Sequence, residues 1–236
     1  TQGVSSAASD VYKRQDNSDI NRMYPGYNKG ETTQRIAAGI FEKIQGYRFG
    51  VQFSSFYMPG DFVSHVRMMK TDYEDTGLAQ LFGMPFVVLR KPVPFDTTTL
   101  NFNWQVWDTK AFSLYSRSTE KIDKKGADMA IAAVCRFLSR MNVLNYNVYG
   151  GYESTVLIEE ELVSLRSTAS GLYIPHVKSF DSVERGQVLA DIIDPLTGVT
   201  VAQTEAPEDG IVFFAKDSPL VMENETLFKI VNKLHK

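Results

Sequence analysis

Three histidines and one cysteine are all that this chain of 236 residues carries of the two side chains most used as soft metal ligands. The single cysteine, Cys135, excludes an internal disulfide framework and any cysteine-rich zinc site. Its scarcity suits a reducing compartment, so a cytoplasmic protein is expected. Long apolar runs are missing too: the best, Ala130 to Cys135, stops at Arg136, short of the ~18 residues that a membrane-spanning helix needs. No sign of charge dominates. With 25 basic and 28 acidic residues the net charge is −3, which excludes a global basic field for nucleic acid or an anionic membrane. With 16 glycines and nine prolines, the chain is not of low complexity. What is present is an ordinary globular composition, 43% hydrophobic and 22% charged, long enough to bury a sizeable core without staples. The length fits one large domain or two small ones.

Residues 1–15 read TQGVSSAASDVYKRQ. As a plain reading this is a polar, disordered tail. Its last six residues, Asp10 to Gln15, are also what GAT GTG TAT AAG AGA CAG encodes, a string that resembles the transposase adaptor of shotgun sequencing libraries. On that reading the segment is foreign and stays out of the fold argument. The natural chain would then begin upstream of Asp16, and the absence of a signal peptide carries no information.

From Asp16 the pattern alternates. Apolar residues Ile36, Ala37, Ile40, Phe41 and Ile44 recur at helical spacing over 32–45, with Thr32 or Thr33 as cap and Gly46 as stop. A buried strand is expected over 47–57, broken by Pro59-Gly60. A short helix over 73–82 ends at Gly83-Met84-Pro85, and Phe86 to Leu89 reads as a core strand. Residues 91–99 read as loop. Two further strands are expected over 102–107 and 111–115. The clearest helix covers 127–141, with Met129, Ile131, Val134, Cys135, Leu138 and Met141 along one stripe. This order implies an α/β fold with helices packed on a mostly parallel sheet.

The texture changes near residues 145–153, where Gly150-Gly151 reads as a hinge. Residues 16–150 are expected to form the α/β domain and 151–236 an all-β module of short strands with turns at Gly171, Gly186, Asp194-Pro195, Thr197-Gly198 and Asp209-Gly210. The runs 183–192 and 206–212 resemble the barrel-sandwich hybrid of biotinyl and lipoyl carriers. A swinging carrier needs a lysine at an exposed hairpin tip. The tip expected here, Asp194 to Gly198, has none, which favours a structural or substrate-gating barrel.

The same module ends proteins of the succinylglutamate desuccinylase/aspartoacylase family, zinc-dependent amide hydrolases related to zinc carboxypeptidases. Asp19-Ile20-Asn21-Arg22-Met23-Tyr24-Pro25-Gly26 resembles that family's D-x-N-R-x-F-P-G motif. Residues 62–67 and Leu81 to Pro85 follow in family order, so the resemblance spans about 16–230. It implies a carboxypeptidase-like mixed sheet flanked by helices, incomplete at its start, followed by the barrel-sandwich module. It also implies hydrolysis of an amide or ester in a carboxylate-bearing acyl substrate. The chemistry of the motif agrees: arginine offers a planar fork for a carboxylate, and an adjacent asparagine adds a neutral donor and acceptor. The resemblance places the substrate carboxylate on Asn21 and Arg22, with Arg67 and His65 as further candidates. Against this stands the plain reading of Arg22 as a surface residue paired with an acid.

The resemblance breaks where catalysis would sit. The family binds zinc through a His-x-x-Glu pair, which would lie upstream of Asp16, and a later histidine; a glutamate serves as general base. Phe53 stands at the expected histidine and Tyr115 at the expected glutamate. Glu120 is a substitute acid/base candidate in a polar loop, Ser118-Thr119-Glu120. His176 and His235 have no ligand spacing. No intact catalytic or metal-ligating set is therefore read from this chain, and zinc is expected in the family but not bound here. Two readings stay open: a fragment of a zinc-dependent hydrolase, and a family member that binds a small carboxylate or a protein partner without catalysis. The partner expected in either case is a small carboxylate-bearing molecule, with neither nucleic acid nor membrane; oligomeric state stays open.

Overall fold

The computed structural model describes residues 18–56, 58–119, 121–146 and 150–232. It is a mixed α/β protein of several sheets and few helices. The helices are α1 (Thr32–Ile44), α2 (Thr76–Gln80), α3 (Leu100–Val106) and α4 (Lys124–Arg140). Strands β1 (Phe49–Ser54), β3 (His65–Met69), β4 (Phe86–Arg90), β5 (Lys110–Tyr115) and β6 (Thr155–Ile158) form one sheet in the order β1-β5-β3-β4-β6. Every residue of β3 and all but the last of β4 are buried; β4 reads accordingly as an unbroken apolar run from Phe86 to Leu89, whereas β3 carries His65 and Arg67 into the interior.

The remaining strands build two antiparallel sheets. Strands β8 (Gly171–Pro175), β10 (Val188–Ile193), β11 (Thr200–Glu205) and β13 (Leu220–Val221) lie in the order β11-β10-β8-β13. Strands β2 (Asp61–Phe62), β7 (Val163–Arg166), β12 (Gly210–Ala215) and β14 (Thr226–Asn232) lie in the order β2-β12-β14-β7, and β9 (Ser182–Val183) also pairs with β12. Ile192 faces Tyr173 and Ala202, and Val212 faces Ile230. These inward residues join Leu189, Leu227 and Phe228 in one core, so the alternation read in the sequence becomes a buried face.

Contacts divide the chain into two compact units. The first holds the described residues up to Gln52 with Arg67–Ala79 and Leu89–Ser113; the second holds Phe53–Val66, Gln80–Val88 and the described residues from Leu114 onward. The first unit packs Tyr24, Ala37, Phe41, Trp104 and Ala111. The second has the core just described and another of Phe62, Val63, Phe86, Val88, Phe213 and Phe214.

Two local expectations are corrected. Residues 102–107 are not a strand; Leu100–Val106 is α3. The Thr99 hydroxyl accepts from the Phe102 N–H at 3.4 Å, and Asn103 Nδ2 donates to the carbonyls of Thr97 and Thr99 at 2.9 and 2.8 Å. An N-cap threonine thus starts a helix where a strand was expected. In α1 the N-cap is Glu31, whose N–H donates to Gln34 Oε1 at 3.2 Å, rather than either threonine. The buried face of α1 is Thr33, Ala37 and Phe41, leaving Ile36 and Ile40 outside.

Candidate functional site

In the first unit, the Asn-Arg motif sits on a single 3-10 turn, Ile20–Arg22. The Asp19 carboxylate caps it by accepting from the Asn21 N–H at 3.0 Å. The Asn21 side chain is engaged locally through its Oδ1, which accepts from the Leu100 N–H at 3.0 Å and satisfies a donor at the start of α3. The Tyr24 N–H donates to Thr98 O at 2.9 Å, and the Tyr24–Pro25 peptide is cis. Gly26 follows at φ +91°, and a Cβ there would lie 2.1 Å from the Ala38 nitrogen, so only glycine lets the turn lie against α1. The motif is thus fastened at both ends to helices.

Arg22 projects from this fastened turn. Its guanidinium lies 4.6 Å from the centre of the Phe95 ring, and Nη1 donates to Asn21 O at 3.3 Å. Among the described residues no carboxylate is paired with it. Arg90 also approaches Phe95, at 5.7 Å, but its Nε donates to the buried Asp96 carboxylate at 2.8 Å. Asp96 accepts from the Val93 N–H at 3.1 Å as well, which holds the loop that presents Phe95. Phe95 is 48% exposed, a ring used as a shelf rather than as core. A guanidinium placed over an aromatic ring, with Nη1 engaged by Asn21 O, still has N–H donors to offer a carboxylate.

A neutral polar cluster lies elsewhere in the same unit. Gln52 Nε2 and Asn101 Nδ2 donate to Ser113 Oγ at 2.7 and 2.9 Å, and Asn101 Oδ1 accepts from the Met69 N–H at 3.3 Å. Arg67, also of this unit, is buried on β3. Sequence reasoning named Arg67 but missed Phe95, Arg90 and this amide cluster. An exposed phenylalanine between Pro94 and Asp96 was the available signal for the shelf.

In the second unit, His65 is fully buried. Its Nδ1 lies 2.7 Å from Val63 O, so Nδ1 carries a proton and donates to that carbonyl. Its ring stacks on Tyr115 and meets Phe56 and Phe213 at 5.7 and 5.0 Å. The two positions that the sequence linked with binding and with the missing glutamate are therefore brought together, in an aromatic cluster. Phe53, at the expected metal histidine, is 67% exposed. Glu120, like Val11 and Tyr12 of the suspected adaptor segment, lies outside the described residues.

The residues present do not fit the zinc that the family resemblance implies. Among the described residues no three histidine, cysteine, aspartate or glutamate side chains come together to hold a metal. Phe53 has no donor atom, and Tyr115 meets His65 ring to ring. Among the described residues no helix is long and apolar enough to cross a membrane.

No protein-family model and no curated protein sequence matches the chain. Solved structures do. The product-bound ectoine utilization protein EutE (DoeB) of Ruegeria pomeroyi superposes with a TM-score of 0.73 at 17% identity, over 93% of this chain and 69% of that one. A succinylglutamate desuccinylase/aspartoacylase of Rhodobacter sphaeroides gives 0.73 at 17% identity, over 94% and 69%. An aspartoacylase family protein of Mesorhizobium loti gives 0.70 at 18% identity, over 94% and 68%. At such identities the likeness establishes architecture, and over more than nine-tenths of its length this chain is folded as the succinylglutamate desuccinylase/aspartoacylase proteins are.

Proposed function

We propose that the chain is a member of the succinylglutamate desuccinylase/aspartoacylase family and that Arg22 receives the carboxylate of a small acyl compound. One observation carries the reading: a half-buried guanidinium, held on a capped turn and shelved on Phe95, that no carboxylate of the described chain neutralises. Asn21 serves this site by fastening the turn to α3, and Arg67 of the same unit is a further candidate for carboxylate binding; His65, buried in the second unit, is not assigned to it. The names of the structural neighbours, desuccinylase and aspartoacylase, belong to proteins of acylated amino acids, which agrees with a carboxylate ligand. In this reading the sheet containing β3 and β4 is the carboxypeptidase-like part, the module from residue 151 is the barrel-sandwich, and the protein works in the cytoplasm. The family reaction is hydrolysis of an amide or ester beside the bound carboxylate.

Binding without hydrolysis is the second reading, and its motive is that Phe53 stands exposed at the expected histidine and Tyr115, stacked on His65, at the expected glutamate. No catalytic step through zinc is derived from these residues. Titration calorimetry with N-acetylaspartate and N-succinylglutamate tests the proposal. Saturable binding of either supports it, and no binding of any acyl amino acid overturns it. Amine release from the bound compound, measured with added zinc, decides between hydrolysis and binding alone.

A further inference from the structure

Helix α1 carries a glycine that its own fold does not need. Gly39 lies mid-helix and exposed, where glycine costs about 0.5–1 kcal/mol relative to alanine. A Cβ built on it meets nothing within 4 Å, so nothing within the described chain demands its absence. Around it runs an open groove of about 700 Å³ whose lining includes Tyr27, Arg35, Ile36, Gly39 and Glu42. Ile36 and Ile40 stand 38% and 37% exposed, although their helical spacing with Ala37 and Phe41 marks them for burial. Arg35 and Glu42 are seven residues apart, two turns, and so share one face. Neither has an ion-pair partner among the described residues.

We infer that this face of α1 is a self-association surface, occupied by α1 of a second copy of the chain in antiparallel, two-fold packing centred at Gly39. The charges select that occupant. A two-fold axis beside Gly39, midway between Arg35 and Glu42, sets Arg35 of each copy opposite Glu42 of the other. One surface thus supplies both halves of two ion pairs, as an isologous interface requires. The missing side chain at Gly39 lets the helix axes approach closely where they cross. Ile36 and Ile40 then pack on the other copy's Ile36 and Ile40, removing from water the apolar side chains that the single chain leaves wet. Packing in parallel would set Arg35 beside Arg35 and Glu42 beside Glu42, which like-charge repulsion opposes.

Sedimentation velocity over a micromolar-to-millimolar series of the whole chain tests this. A concentration-dependent monomer–dimer equilibrium is expected. Gly39→Leu should raise the dimer dissociation constant about tenfold or more, as overpacking a close contact does. Arg35→Glu should do likewise, and the double reversal Arg35→Glu with Glu42→Arg should restore the dimer. Circular dichroism melts of each variant's monomer confirm that it is folded, and Gly39→Ala, which should raise the melting temperature of the monomer, provides a variant that folds at least as well while weakening the dimer. A monomer at every concentration overturns the inference. So does a dimer that Gly39→Leu and Arg35→Glu leave unchanged.

Discussion

The imidazole of His65 lies flat against the phenol ring of Tyr115, centroids 5.2 Å apart and planes within 7°. With the Nδ1 bond to Val63 O and complete burial, this is the geometry of a core histidine. His65→Ala should therefore destabilise the protein by about 2–4 kcal/mol, the combined cost of a cavity and a lost buried hydrogen bond. Urea unfolding checks this. A loss well under 1 kcal/mol would mean that the ring cluster carries little of the fold.

Asn21 and Arg22 should separate in the same measurement. Asn21→Ala removes the acceptor for Leu100 N–H and should cost about 1 kcal/mol, as loss of a helix cap does. Arg22→Ala removes a part-exposed cation–π contact and should cost no more than about 0.5–1 kcal/mol. If Arg22→Ala proved the more destabilising of the two, Arg22 would be structural.

Gly50 contrasts with Gly39. A Cβ at Gly50 would stand 2.8 Å from the Trp104 ring and 3.1 Å from Thr109 Cγ2. Gly50→Ala should destabilise by about 1–3 kcal/mol through overpacking. Thermal melting of the Gly50→Ala and Gly39→Ala variants, read at a concentration where the chain is monomeric, should move in opposite directions.

Asp191 supplies a pH signature. Hydrogen bonds from Gln203 Nε2 first, and from His176 Nε2 second, hold its carboxyl below the usual aspartate range. A depressed carboxylate stabilises the folded state above the unfolded pKa, about 4, and that contribution is lost as pH falls through the lower folded value. Carbon-detected NMR titration should show the Asp191 pKa moving upward in Gln203→Leu. An unchanged pKa would assign the shift to another cause.

Much of this architecture was legible because periodicity survives folding. The helix expected over 127–141 is α4, and the turn-punctuated segment from residue 154 holds strands and one 3-10 turn among its described residues. The strand expected over 102–107 failed at α3, where a threonine cap and buried amides decide, since Asn101, Asn103 and Gln105 bury polar groups that no hydrophobic pattern announces. At the site, the Asn-Arg motif was visible as a string. What it could not show is that Asn21 turns inward to cap α3 while Arg22 turns to Phe95, 73 residues away in sequence, because that pairing is set by the loop that Arg90 and Asp96 hold.

The most direct test of the carboxylate site is titration calorimetry of wild type, Arg22→Lys and Arg22→Ala with the same acyl amino acid. Arg22→Ala should weaken binding by about 1.5–3 kcal/mol, the range for a hydrogen bond to a charged group. Arg22→Lys should recover only part of that, because an ammonium keeps the charge but loses the planar fork. Equal affinity in all three proteins would contradict the assignment of Arg22 as the residue that holds the carboxylate.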